Sequence, residues 1–164
     1  MVNTQASVNQ SLINIADNLL FLGGISLEVD GTAVNPAESV LYKGIMLCGV
    51  PNLAETFGYT NASWTLKADL TAEYVCRLLA TLEERGLRQA TPVGPGAGQP
   101  TEPFIDFSSG YVTRAVDELP RQGATTPWRL HQNYLRDTWL LGHGPVDDHM
   151  VLSNPVPTPA PSQA

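Results

Sequence analysis

Cysteine, positive charge and long apolar runs are all scarce in this chain of 164 residues. Its only two cysteines, Cys48 and Cys76, each lie within an apolar run, so we expect two reduced core thiols and no disulfide framework. The longest apolar run, LLFL at 19–22, is far too short to span a bilayer, and the N-terminus lacks the positive start of a secretory signal. The sequence therefore predicts a cytoplasmic protein with no transmembrane segment.

Basic residues are outnumbered, with nine Lys and Arg against sixteen Asp and Glu, which gives a formal net charge of −7. No basic stripe is present to neutralise phosphates, and this argues against a nucleic-acid partner. The hydrophobic share of 43% is enough for the core of one ordinary domain.

Motifs for self-contained catalysis are also missing. Residues 94–98 read GPGAG, but prolines flank this run and no strand precedes it, so it is not a dinucleotide-binding turn. The three histidines lack the paired spacing of a zinc helix, and no Gly-x-Ser-x-Gly elbow occurs. The sequence predicts neither a catalytic group nor a metal site in this chain.

The stretch at 58–70, GYTNASWTLKADL, organises what is present. An apolar run at 50–57 predicts a strand before it, and the period then changes to that of a long helix ending at a glycine, Gly86. Thr60, Asn61 and Ser63 can cap the helix start. The apolar stripe is wide, which predicts burial on most of the helix girth. Its members are Leu66, Ala68, Leu70, Ala72, Tyr74, Val75, Leu79 and Leu82.

A polar-capped helix start after a glycine turn directs free N–H groups and a partial positive charge at one point. Proteins hold phosphates, carboxylates or the electron-rich edge of a cofactor ring in this way. Most such turns, however, are only structural caps. Tyr59 and Trp64 leave a similar choice open, because large aromatic residues can line a pocket or simply pack against a sheet.

Further elements follow from local patterns. The Asp30-Gly31 pair between alternating residues at 25–29 and 32–34 predicts a β-hairpin. Residues 40–47 predict a strand with a bulge or a close approach at Gly44. The Pro/Gly-rich run at 91–102 predicts a flexible loop, and short helices are expected over 111–119 and 127–141.

Several motifs together resemble a known family. They are YKGIML at 42–47, VPNLA at 50–54, the organising stretch at 58–70, SGYV at 109–112, DELPRQG at 117–123 and PWRLHQNYL at 127–135. In order and spacing they resemble the C-terminal part of the Baeyer–Villiger type (class B) flavin-containing monooxygenases, close to the ethionamide-activating branch. The resemblance extends from about Leu19 to about Met150. Glu55 departs from it, since the family usually has an apolar or aromatic residue there.

The resemblance implies an α+β or α/β fragment. A β-hairpin, short strands and one long helix would complete an FAD-binding, Rossmann-like fold with two dinucleotide domains, followed by two short helices and a disordered tail. The implied division is an uncertain N-terminal segment at 1–18, the end of the FAD-binding domain at 19–90, the flexible loop at 91–102, a helical wrap at 103–150 and a Pro-rich tail at 151–164.

The implied activity is FAD- and NADPH-dependent oxygenation of a small hydrophobic ketone or sulfur compound. The resemblance assigns the flavin contact to Thr60, Asn61, Ala62, Ser63 and Trp64, and the substrate pocket to Tyr59 and Trp64. The family's glycine-rich cofactor turns, fingerprint and active-site arginine lie upstream of the matching region. The segment is therefore expected to be inactive alone and to need an N-terminal FAD- and NADPH-binding portion. The alternative is a non-catalytic remnant, or one module of a split protein that docks on a separate flavin-binding chain.

Overall fold

A computed structural model describes residues 21–59, 62–104 and 119–155 of the chain. Several sequence predictions lie outside these residues: the capping residues Thr60 and Asn61, the segment at 1–18, the helix over 111–119 apart from Leu119, and the tail beyond Pro155.

Short strands in the described part pair into four separate two-stranded antiparallel sheets around one 21-residue helix. The strands are β1 (Leu27–Val29), β2 (Thr32–Val34), β3 (Leu41–Tyr42), β4 (Met46–Leu47), β5 (Gln89–Pro92), β6 (Thr101–Pro103), β7 (Arg121–Gly123) and β8 (Met150–Ser153). The helices are α1 (Trp64–Glu84), α2 (Tyr134–Asp137), a π-helix (Thr138–His143) and two 3-10 turns, Phe21–Gly24 and Pro36–Glu38. The fold is thus a mixture of helices and short strands.

The predicted Asp-Gly hairpin is confirmed. Strands β1 and β2 pair antiparallel, with Val29 opposite Thr32. Asp30 and Gly31 both have positive φ, 51° and 80°, which is the conformation of the two central residues in a type I′ hairpin turn. Local turn chemistry fixes this element.

The single bulged strand predicted over 40–47 is wrong, because the chain reverses within it. Lys43 and Gly44 have φ of 51° and 67° and form the turn of a second tight hairpin, β3–β4, with Tyr42 opposite Met46. A lysine in a left-handed turn gives no hairpin signal in the sequence. The close approach predicted at Gly44 is confirmed, since a Cβ at this position would overlap the Leu130 side chain.

The strand predicted over 50–57 is also absent, and only an isolated bridge joins Ala54 to Met46. Asn52 has a φ of 56°, which turns the chain. The Asn52 side chain donates to the Arg88 carbonyl (3.1 Å) and accepts from the Ala90 amide (2.9 Å). These bonds fix the segment to the start of β5 without a regular ladder.

Helix α1 is buried on one face, and the burial predicted around most of its girth is wrong. Leu79 is 58% exposed, and Ala68 and Ala72 are exposed as well. The inward residues recur at helical spacing and include two polar side chains. They are Lys67, Leu70, Thr71, Tyr74, Leu78 and Leu82. At the other end Gly86, with φ of 64°, follows the last turn, as its C-terminal position predicts.

Two segments predicted to lack regular structure, the loop at 91–102 and the tail at 151–164, contain strand residues. Strands β5 and β8 pair antiparallel, so that Pro92 lies opposite Met150 and Ala90 opposite Leu152. The irregular loop therefore starts at Val93, and residues 151–153 belong to a sheet instead of a disordered tail. Partners about 60 residues apart along the chain create this sheet, and local composition cannot show such pairing.

The helix predicted over 127–141 is shorter and starts later. Thr126-Pro127 is a cis peptide bond in a turn, and residues 129–133 are irregular. Asn133 then caps α2, its side-chain oxygen accepting from the Arg136 amide at 3.0 Å. The π-helix follows directly and carries Leu140 and Leu141 into the core.

Two apolar clusters form the core. The first packs the inner face of α1 against the β3–β4 hairpin, β5 and Leu141, and the second gathers Phe21, Leu41, Val50, Phe104 and Leu119. The placement of both cysteines in the core is wrong for Cys76, which is exposed on α1, while Cys48 is half-buried. No helix of the described residues combines the length and apolar character needed to cross a membrane.

Candidate functional site

The described residues at the start of α1 are solvent-exposed. Ser63 is the N-cap residue, but its hydroxyl makes no capping bond and instead pairs with the Thr65 hydroxyl at 2.8 Å. Ala62, Ser63 and Trp64 are all exposed. Since a helix start whose N-cap side chain makes no capping bond retains N–H groups and partial positive charge, this end of α1 is suited to a negatively polarised partner.

Trp64 covers the turn that leads into the helix. Its indole lies over Gly58, where an added Cβ would overlap the ring. Gly58 is itself buried, whereas the Trp64 side chain is 63% exposed. The glycine is therefore needed for close approach of the indole, and the outer face of the indole is available for a further contact.

Tyr59, the other predicted pocket residue, is only 3% exposed, and its side chain is buried instead of lying at the surface with Trp64. Its hydroxyl donates to Asp137 Oδ2 at 2.8 Å, and its ring meets that of Tyr134 edge-on. Burial and the neighbouring carboxylate raise the pKa of Tyr59, so this phenol is a neutral donor at physiological pH. The structure thus places Tyr59 inside and Trp64 outside.

A buried ion pair joins the first turns of α1 to α2. Lys67 Nζ lies 2.8 Å from Asp137 Oδ2, and both side chains are at most 3% exposed. The ammonium also lies 5.6 Å from the centre of the Tyr59 ring. The sequence patterns did not predict this pair, although the position of Lys67 in line with Leu70 and Tyr74 indicates that it faces the core.

The second buried lysine lies at the tip of the β3–β4 hairpin. Lys43 Nζ contacts Asp148 Oδ1 at 2.7 Å and donates to the Pro145 carbonyl. Tyr42 also donates to Asp148 Oδ1, at 2.8 Å. Burial lowers the pKa of Lys43, and the Asp148 carboxylate opposes that effect. The chain's only two lysines are therefore both internal and each meets an aspartate of the C-terminal region.

Two further side chains of α1 hold the segment between these aspartates. Tyr74 donates to the Val146 carbonyl at 2.7 Å. Arg77 donates to the carbonyls of Leu141 and Gly144, each at 2.6 Å. Hydrogen bonds from charged donors are among the strong ones, so residues 137–148 are firmly fixed to the helix. These contacts position backbone and supply no nucleophile or general base.

A cleft of about 370 Å³ opens beside α2 and the π-helix, and we name it the Trp139 cleft. Its lining residues are Thr126, His131, Leu135, Arg136, Trp139 and Leu140. His131 Nε2 pairs with the Thr126 hydroxyl at 3.1 Å, and its Nδ1 lies 3.2 Å from Arg136 Nη1. The sequence patterns did not predict this cleft. Across the described ranges, no group of three or more His, Cys, Asp or Glu residues is arranged to hold a metal ion.

Comparison with known proteins gives clear relatives. The chain is 49% identical over 142 residues to the FAD-containing monooxygenase EthA of Mycobacterium tuberculosis, covering 87% of this chain and 29% of that protein. It is 48% identical over 134 residues to EthA of Mycolicibacterium smegmatis, covering 82% of this chain and 27% of the relative. The chain thus spans less than a third of the length of these relatives. No family model matches the chain, and no solved structure matches it.

Proposed function

Since this chain belongs to the EthA-like branch of the FAD-containing monooxygenases and corresponds to their C-terminal part, we propose that it supplies the flavin-facing helix start of such an enzyme. The observation that carries the proposal is the identity of 49% to EthA across 87% of the chain. In this proposal Thr60, Asn61, Ala62, Ser63 and Trp64 bring backbone N–H groups to the pyrimidine edge of the flavin ring. The proposed substrate pocket has the exposed Trp64 in its wall, and Tyr59 lies buried behind that surface, where Asp137 holds its hydroxyl.

The donor set at the start of α1 fits a flavin edge. Ser63 leaves the amides of the first turn uncapped by its own side chain, and Trp64 presents an aromatic surface beside them. A helix N-terminus favours negative charge, which reduced flavin carries near N1 and O2. Lys67, one turn inside the helix, is paired with Asp137 and does not compete for the flavin. The proposed donors to the flavin are therefore the backbone amides.

The proposed enzyme uses FAD and NADPH, and its bound flavin would supply the oxygenation of a small hydrophobic ketone or a sulfur-containing substrate. This chain's own part is to hold the flavin edge, to line one side of the pocket and to fix its C-terminal segment on α1. We propose that these roles require a portion that binds FAD and NADPH, and that the chain alone does not catalyse the reaction.

A second candidate function is a non-catalytic module that docks on a separate flavin-binding chain. This candidate is supported by the coverage, because the chain matches only 29% of the length of the relative. The two candidates differ in connectivity. The first candidate is supported if a single polypeptide that contains this chain binds flavin. The second is supported if this chain binds a separate flavoprotein and leaves the flavin of that protein unaffected.

The test is a chimera in which this chain replaces its matched 142 residues in M. tuberculosis EthA. Ser63→Asp places a carboxylate at the helix start, and Ser63→Asn is the matched neutral control of similar size. We expect a lower reduction potential of the bound flavin with Ser63→Asp and an unchanged potential with Ser63→Asn, because only the former repels the negative charge of the reduced ring. Equal potentials in both variants would rule out the proposed contact.

A further inference from the structure

The Trp139 cleft has an unusually apolar rim for a surface. Leu135 is 77% exposed, Trp139 is 65% exposed and Tyr134 is 40% exposed, all within one turn and a half of α2 and the π-helix. Large apolar side chains that cluster on the surface of a soluble protein mark places where another surface packs. Aromatic residues with an adjacent arginine are the usual anchors of such interfaces.

The backbone that carries this rim is rigid. Trp139 lies in the π-helix, a conformation that is rare and occurs frequently at functional sites. Asp137 is fixed by Lys67 on one side, and the Leu141 and Gly144 carbonyls are fixed by Arg77 on the other. The rim is therefore pre-organised, which lowers the entropic cost of binding a partner.

The cleft also carries a positive charge, the guanidinium of Arg136. Arg136 forms no ion pair with any described residue, and its contact in the cleft is the ring of His131. Burial and the nearby guanidinium lower the pKa of His131, so this imidazole adds no charge at neutral pH. On a chain of net charge −7, the cleft thus combines an apolar rim with one cation. An apolar side chain next to a carboxylate would match it.

We propose that the Trp139 cleft is the docking surface for the flavin-binding portion of the enzyme, which inserts an apolar side chain against Trp139 and a carboxylate against Arg136. This inference rests on the proposed function. We infer the occupant from the length of the relatives. The part of EthA outside the matched region is more than twice as long as the matched region itself. A second copy of this chain fits less well, because two molecules of net charge −7 repel each other.

Hydrogen–deuterium exchange tests this inference in the EthA chimera described above. The chain alone provides the free state of the cleft. We expect amide exchange in residues 134–143 to slow at least about tenfold in the chimera relative to the chain alone, because docking covers this segment. Bound FAD is quantified in the same samples from its absorbance.

Matched variants separate docking from folding. Trp139→Ser and Arg136→Gln change exposed groups at the cleft, whereas Leu79→Ser removes a similarly exposed apolar side chain on the outer face of α1. In the chimera we expect the first two variants to lose at least half of the added protection and Leu79→Ser to retain it. In the chain alone all three should keep the helical circular dichroism of the unsubstituted chain.

The outcomes distinguish the inference from the proposed function. A chimera that binds FAD but leaves residues 134–143 unprotected overturns the docking surface and leaves the proposed function intact. Protection of these residues without FAD supports the docking surface and counts against the proposed function. Loss of both contradicts both. A chain that dimerises alone, and that Trp139→Ser makes monomeric, overturns the inference in favour of a second copy.

Discussion

Lys67 and Asp137, which are 70 residues apart in the chain, form a buried ion pair with Nζ and Oδ2 separated by 2.8 Å. The Tyr59 hydroxyl donates to the same carboxylate oxygen. The pair therefore joins the helix start proposed to face the flavin with the segment that carries the Trp139 cleft. We therefore expect a substitution at Lys67 or Asp137 to affect both the helix start and the Trp139 cleft.

Breaking this pair on one side should be strongly destabilising. Lys67→Met or Asp137→Asn alone leaves a buried polar or charged group without its partner, and we expect a loss of about 3–5 kcal/mol in the free energy of unfolding. The double variant should lose less than the sum, because no isolated charge remains and the amide at position 137 still accepts from Tyr59. Urea denaturation of the chain measures all three; strict additivity would show that the two residues do not interact.

Gly44→Ala should cost more than Gly31→Ala, although both glycines have positive φ. At Gly31 an added Cβ meets nothing within 4 Å, so only the conformational cost of about 1 kcal/mol is expected. At Gly44 the added methyl group overlaps Leu130, which adds about 1–3 kcal/mol. Urea midpoints of the two variants test this, and Leu130→Ala should partly rescue Gly44→Ala. Equal midpoints would contradict the packing at Gly44.

Glu55 should make stability decline with pH. Its Oε1 atom is buried, without a hydrogen-bond partner in the described structure, and burial raises the pKa of Glu55 from its ordinary value of 4.5 to about 8. Between these values the folded state retains a proton that the unfolded state has lost, so stability falls as pH rises from about 4.5 to about 8 and then levels off.

The substitution Glu55→Gln should remove this decline and raise stability at pH 8 by about 1–2 kcal/mol. Glu84→Gln, at an exposed site on α1, is the control and should leave the decline in place. Urea midpoints across pH 4 to 9 provide the measurement. A decline that persists unchanged in Glu55→Gln would show that another group is responsible.

The two cysteines should differ in reactivity. Cys76 is exposed, whereas Cys48 is half-buried, its thiol contacts the Val93 carbonyl, and burial raises its pKa to about 12. Because the thiolate is the reactive form, we expect Cys48 to react at least about 100-fold more slowly at pH 8 with an aromatic disulfide reagent. Cys76→Ser should abolish the fast phase and Cys48→Ser the slow one. A single fast phase from both thiols would contradict the burial of Cys48.

The candidate site was only partly visible in the sequence. The residues at 59–64 were selected by a resemblance and by the capping pattern, and the structure places Ala62, Ser63 and Trp64 together at the exposed helix start. The Trp139 cleft was not predicted, because it forms only where Thr126 and His131 fold back against α2 and the π-helix, whereas the sequence predicted one regular helix over 127–141. Tyr59 was found, but its buried contact with Asp137 depends on a residue far along the chain.

By itself the sequence determined the elements whose information is local. The Asp30-Gly31 hairpin forms because both residues tolerate left-handed backbone, and α1 ends near Gly86 for the same reason. Only the tertiary structure decided which faces are buried and which charges meet. Lys43 and Lys67 are internal because aspartates 105 and 70 residues further along the chain compensate them. Long-range pairs of this kind depend on how the elements pack, and no short stretch of sequence encodes that packing.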